Sequence, residues 1–159
     1  SSQSRGLGDV YKRQGSSFHR VLPEHRRLVA RKNVKRVVLC SGKVYYDLLA
    51  AAQEHKVNNV AIVRVEQLYP FPAKSIACEL KKYPNAEIVW CQEEPENNGA
   101  WHFVDRRIEK VLADIEDVDM QASRPIYVGR PESAATATGM LKRHLAQQEA
   151  LINEALMIA

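Results

Sequence analysis

At 159 residues the chain has room for one domain that buries most of its unfolded surface, and too little for two of ordinary size. With 45% apolar and 26% charged residues, and only seven Gly and seven Pro, it is not collagen-like, low-complexity or wholly disordered. The net charge of +4 is uneven: residues 1–36 hold ten Lys and Arg against Asp9 and Glu24, a balance of +8, while the remainder holds thirteen basic and seventeen acidic residues, a balance of −4.

Residues 1–14, SSQSRGLGDVYKRQ, show neither helical nor strand periodicity and are read as an unstructured, non-native run on a chain whose upstream part is missing. Residues 15–33 are read as a linker, and residues 34–159 as the domain. Residues 37–40 form a short apolar run ending at Ser41-Gly42, and Val44, Leu48, Leu49 and Ala52 then recur at helical spacing up to His55, which gives strand, tight turn, helix. A second β-branched run spans residues 60–65. After Leu68-Tyr69-Pro70-Phe71-Pro72 a helix is expected to bury Ile76, Ala77 and Leu80.

Tyr83-Pro84-Asn85 stops that helix, residues 87–91 make a third strand, and residues 92–99 a long polar loop. Trp101, Val104, Ile108, Val111, Leu112 and Ile115 lie on one face of the next helix, and an acidic connector occupies residues 116–119. Residues 125–129 are the fourth strand. A closing helix from about Gly139 presents Leu141, Leu145, Gln148, Ile152, Ala155 and Leu156 on one face. Short strands alternating with helices predict an α/β fold with three layers, α/β/α, around a mostly parallel sheet, because parallel neighbours need crossover connections.

Cys40, Cys78 and Cys91 are an odd, widely spaced set that argues against a disulfide framework and for a reducing compartment. No apolar run approaches the roughly 18–20 residues of a membrane span, so no membrane partner is expected. The basicity belongs to the N-terminal segment, which is poor ground for a nucleic-acid partner.

Two segments have the residue types for chemistry. Ser41, Gly42 and Lys43 follow a strand and open a helix, where free backbone N–H groups favour an anion. A Walker A loop is excluded by Val37 and Val44 at its glycine and Ser/Thr positions. A capped turn and an anion site both stay open. Residues 92–101 bring Glu93, Glu94, Glu96, Asn97 and Asn98 to the end of a strand, where open α/β sheets place their sites, and Asn98 is placed to cap the helix at Trp101. The five histidines form no metal-binding pair. Arg124 and Arg130 bracket the fourth strand, as an anion clamp or as partners of nearby carboxylates.

The strings Val37-Val38-Leu39-Cys40-Ser41-Gly42-Lys43-Val44-Tyr45-Tyr46-Asp47-Leu48, Arg64-Val65-Glu66-Gln67-Leu68-Tyr69-Pro70-Phe71-Pro72, Gln92-Glu93-Glu94-Pro95 with Gly99-Ala100-Trp101, and Tyr127-Val128-Gly129-Arg130-Pro131 with Ala137-Thr138-Gly139 resemble the C-terminal domain of the E1 component of 2-oxoglutarate dehydrogenases, of the transketolase-like family. The resemblance implies a transketolase C-terminal-like fold. It also implies a larger homodimeric enzyme that uses thiamine diphosphate and Mg²⁺, bound by upstream domains, to decarboxylate 2-oxoglutarate and pass succinyl to lipoamide on the lipoyl domain of the E2 succinyltransferase. No catalytic, cofactor-binding or metal residue is assigned to this chain, which is expected to be inactive alone.

By that resemblance, Glu93, Glu94, Asn98 and Trp101 are candidates for an interface or active-site entrance loop. Gln67 and Lys74 mark the place of an allosteric acyl-CoA site, with Lys74 standing where such members have arginine. The implied location is the bacterial cytoplasm, or the mitochondrial matrix in a eukaryote. The rival reading is an independent flavodoxin-like module that binds an anion or nucleotide at Ser41, Gly42 and Lys43.

Overall fold

The computed structural model describes residues 20–131 and 141–159. Its sheet is made by the four predicted β runs: β2 (Arg36–Cys40), β3 (Val60–Val65), β4 (Glu87–Pro95) and β5 (Ile126–Arg130). A two-residue strand, β1 (Val21–Leu22), joins them in the order β1-β3-β2-β4-β5. All pairs are parallel except β1 with β3, which is antiparallel, Val21 opposite Val65 and Leu22 opposite Arg64.

The period-2 geometry of each strand sends alternate side chains to opposite faces, and both faces are covered, so residues 37–40 of β2, 60–63 of β3 and 88–91 of β4 read as unbroken apolar runs. Val37, Leu39, Ala61, Val63, Ile88 and Trp90 pack under α2 (Ala73–Leu80) and α3 (Trp101–Asp114). Val38, Cys40, Val60, Ile62, Val89 and Cys91 pack under α1 (Val44–Glu54) and α4 (Leu141–Leu156). The layers are therefore helix, sheet, helix, as predicted. Each fully buried Val, Leu or Ile contributes about 1.5–3 kcal/mol through the area removed from water.

Three sequence expectations change. The loop expected from residue 92 starts later, because β4 continues through Gln92, Glu93 and Glu94 to Pro95, with a register shift against β5 between Cys91 and Pro95. In α4, Leu151, Ile152, Ala155 and Leu156 are buried, whereas Leu141 and Leu145 are 72% and 57% exposed. Helical periodicity identified the face correctly but not how far the sheet extends beneath it. Asn98 does not cap α3, because the side chain of Gln92 accepts from the N–H of Trp101 in its place.

Before β2, the chain is fixed to β3 by side chains where β1 ends. Glu24, only 4% exposed, accepts hydrogen bonds from the backbone N–H groups of Arg26 and Ile62, both at 2.7 Å. It also accepts from Arg26 Nε and Nη2 at 3.0 and 2.7 Å. The same guanidinium donates to the carbonyls of Val57 and Val60, each at 2.7 Å. Residues 20–33 thereby complete the outer side of β3.

Cys40 and Cys91 are register neighbours on β2 and β4, both fully buried and free, while Cys78 is free and exposed. Burial pushes the Cys91 thiol up to about 12, and that of Cys40 higher still. The unfolded chain ionises both thiols above about pH 9, where the folded chain retains the protons. The unfolded state then binds fewer protons, so stability is full below that pH and falls as pH rises. Each thiol is expected to remove up to about 1.4 kcal/mol per pH unit above pH 9. Tyr45, Tyr83 and Tyr127, also raised chiefly by burial, act in the same direction. Urea titrations from pH 8 to 11 should give a slope that flattens in a Cys40→Ala/Cys91→Ala double variant; an unchanged slope would assign the alkaline loss elsewhere.

Candidate functional site at the carboxyl edge of the sheet

Leaving β2, the chain turns toward β3 through α1; leaving β4, it turns the other way toward β5 through α3. The carboxyl ends of β2 and β4 therefore flank the point where the strand order reverses, the usual binding crevice of open α/β sheets. Ser41, Gly42 and Lys43 lie on one side of it and Glu93, Glu94 and the turn to Trp101 on the other.

The first turn is conformational. Gly42 has φ +79°, a left-handed conformation that disfavours a side chain even though open space surrounds its missing Cβ. Gly42 O accepts from the N–H of Tyr45, and Lys43 O from that of Tyr46, starting α1 without a side-chain cap. Lys43 is exposed and Ser41 half-buried. The nearby guanidinium of Arg64 is already engaged: it pairs with Glu66, donates to Tyr46 Oη at 3.0 Å and lies about 5 Å from the centroids of both Tyr45 and Tyr46. With Arg64 committed to these partners and Lys43 exposed, the anion-binding module is not the favoured reading.

The segment after β4 is organised by Gln92, a residue that its polar neighbours disguise in the sequence. Its position two residues after Trp90 and four after Ile88 puts its side chain on the α2/α3 face, where it is 4% exposed. Its Oε1 accepts from Trp90 Nε1 at 2.9 Å and from the backbone N–H of Trp101 at 3.0 Å. Its Nε2 donates to the carbonyls of Glu94, Pro95 and Asn98 at 3.2, 3.0 and 2.8 Å. One amide thus caps α3, the task expected of Asn98, and folds residues 94–101 around itself. Asn98 contributes backbone groups instead, its N–H bonding Pro95 O at 2.9 Å.

The neighbouring glycines fit around this amide. Gly99, at φ +69°, brings its Cα so close that a Cβ would stand 2.9 Å from Glu94 Oε1 and 3.0 Å from Gln92 Nε2. At Gly129 a Cβ would stand 2.7 Å from the Gln92 carbonyl and 2.5 Å from Tyr127 Oη. That hydroxyl lies 2.5 Å from Arg130 O and 3.2 Å from Glu94 O. Burial, then the carboxylate of Glu96, pushes Tyr127 up to about 12, so it remains a donor at any physiological pH.

The predicted site residues take separate places. Trp101 is buried against Tyr127, ring centroids 5.5 Å apart, and belongs to the core. Glu94 and Asn98 are exposed and Glu93 half-buried, its carbonyl lying 3.5 Å from Arg130 Nη1. Arg130 donates to Gln148 Oε1 at 2.7 Å, and Gln148 Nε2 to Asp47 at 3.0 Å, joining β5, α4 and α1. Arg124 pairs with Asp105 at 3.1 Å. Gln67 turns its amide to Pro70 O at 3.3 Å, and Lys74 is exposed beside a groove of about 230 Å³ between α2 and α3.

Among the described residues no three His, Cys, Asp or Glu side chains are grouped to hold a metal ion. No helix among them is long and apolar enough to cross a membrane. What fold and edge define is a three-layer α/β domain whose carboxyl-edge loops are held rigidly by buried polar groups.

Comparison with known proteins specifies the family. The model of the 2-oxoglutarate dehydrogenase C-terminal family matches residues 12–156, and the chain belongs to that family. It is 51% identical over 139 residues to the 2-oxoglutarate dehydrogenase E1 component of Cupriavidus necator, covering 87% of this chain and 14% of the relative. It is 49% identical over 149 residues to that of Brucella abortus, covering 89% and 14%. The chain thus spans about one seventh of the length of these relatives.

Proposed function

We infer that this chain is the C-terminal domain of an E1 component that decarboxylates 2-oxoglutarate and transfers succinyl to the lipoamide of E2, and that its part is structural. Identity near 50% over nearly the whole chain, to relatives named as E1 components, carries this reading. In it, thiamine diphosphate and Mg²⁺ lie on the upstream domains, and the cofactor supplies the electron sink. This domain packs on those domains and supports the E1 homodimer. Glu93, Glu94 and Asn98 face the active-site entrance or an interface, on a turn that Gln92 makes rigid. Gln67 and Lys74 mark the acyl-CoA position, a regulatory role that an acyl-CoA titration of the full enzyme would reveal. The E1 works in the bacterial cytoplasm, or in the mitochondrial matrix of a eukaryote.

The test is a graft. Residues 20–159 replacing the matching region of the Cupriavidus necator E1 should leave kcat for 2-oxoglutarate within about tenfold of the parent in the reconstituted complex. The chain alone should show no calorimetric binding of thiamine diphosphate with Mg²⁺. Micromolar binding by the chain alone would contradict the assignment of that chemistry to other domains.

A further inference from the structure

Helix α4 runs from the carboxyl edge of the sheet to the amino edge. At its middle Gln148 meets Arg130 at the end of β5, and near its end the carbonyls of Glu154 and Ala155 accept from Arg36 at the start of β2. Its apolar stripe, Leu141, Leu145, Ile152 and Leu156, is buried only in its second half. The first half continues past the carboxyl edge with both leucines exposed. Between them Lys142 and Arg143 are exposed too, and neither makes an ion pair with a described residue.

This overhang has company. Of the six exposed large apolar side chains among the described residues, Tyr46 and Tyr69 also follow carboxyl ends of strands, leaving only Ile126 and Met157 at the other edge. The chain arrives here as well: Arg20 O accepts from the N–H of Glu66, one residue past the end of β3. The relatives carry some six-sevenths of their length outside the matched region. Arg20, the first described residue, thus stands at the edge on which the uncovered apolar groups stand.

The geometry points to the overhanging start of α4 as the contact of this domain with the upstream part of the same E1 polypeptide, with Leu141 and Leu145 seated in an apolar groove and a carboxylate on its rim meeting Lys142. Exposed leucines at i and i+4, with the unpaired Lys142 beside their stripe, fit an apolar groove with an acidic rim. A second copy of this chain is a poorer occupant. The acidic, partly apolar groove at residues 109–123 has a suitable character, but it lies at the C-terminal end of α3, at the amino edge and on the opposite face of the sheet. Joining these two surfaces would give a head-to-tail contact that does not close into a dimer.

The inference rests on the chain being part of an E1. Hydrogen–deuterium exchange tests it in a full-length E1 ending in residues 20–159. Amides of residues 141–150 should exchange at least about tenfold more slowly there than in the isolated chain. Leu145→Asp, or Lys142→Glu, should return exchange in the full-length enzyme toward the isolated rate without lowering the melting temperature of the isolated chain. Equal exchange in the two wild-type proteins overturns the contact. Protection that disappears on dilution to monomers, or that needs added E2, overturns the assignment to the same polypeptide. An active enzyme with residues 141–150 unprotected refutes this contact and leaves the reading of the chain intact. Protection in an enzyme that cannot decarboxylate 2-oxoglutarate supports the contact and counts against that reading.

Discussion

Glu24→Ala is expected to destabilise the domain by about 3–5 kcal/mol, the cost typical of removing one partner from a buried ion pair. The carboxylate is 4% exposed and receives four hydrogen bonds, two of them from backbone N–H groups. Its loss leaves the Arg26 guanidinium, 13% exposed, without a counter-charge, and leaves the Ile62 N–H without an acceptor. With m near 1–3 kcal/mol per molar urea, the midpoint should fall by more than about 1 M. Glu24→Gln with Arg26→Met should cost less than Glu24→Ala alone, since no buried charge is stranded. A loss of under about 1 kcal/mol for Glu24→Ala would show that the segment before β2 is dispensable to the sheet.

Gln92→Leu should cost about as much, roughly 3–5 kcal/mol, by a different route. Leucine has similar bulk, so the loss is polar: two N–H donors and three carbonyls lose their partner together. Each buried group left unsatisfied costs about 1–3 kcal/mol, and water can recover part of that for the half-exposed carbonyls. The Trp90 indole reports locally, because its N–H loses its acceptor; its emission should shift even under conditions where the variant stays folded. Gln92→Glu separates the two halves of the amide, retaining an acceptor for Trp90 and Trp101 while setting a carboxylate against three carbonyl oxygens. If Gln92→Leu melted like the wild type, the turn from residue 94 to 101 would have to be held by its own backbone.

How much of this was legible in the sequence depended on whether one residue or a partner far along the chain decided the outcome. Residues 37–40, 60–65 and 87–91 announce strands because each is apolar on both faces, and the helix at Trp101 announces itself by spacing. The position of the candidate site followed from its place after the end of a strand in an α/β pattern. Its internal structure did not, because Gln92 looks like the first residue of a polar loop until Ile88 and Trp90 are seen on the same face. Likewise β1 is too short for any pattern, and Glu24 and Arg26 look like ordinary surface charges until β3 lies beside them. The stripe on α4 was read correctly as apolar, yet periodicity cannot say which part of a stripe the domain itself covers.

The outer side of β3 has one more consequence. A strand at the border of a sheet offers its unpaired N–H and C=O groups to any other chain, and polymerisation by edge-to-edge addition begins from such a template. Only two residues of β1 shield β3, but a carboxylate occupies the Ile62 N–H and a guanidinium the Val57 and Val60 carbonyls. A charged pair blocks that border more fully than a short strand does, since an incoming strand would have to displace both ions to gain its ladder. The Glu24–Arg26 pair is therefore expected to oppose edge-to-edge addition as well as to hold the fold, and its loss should appear as turbidity that rises with protein concentration.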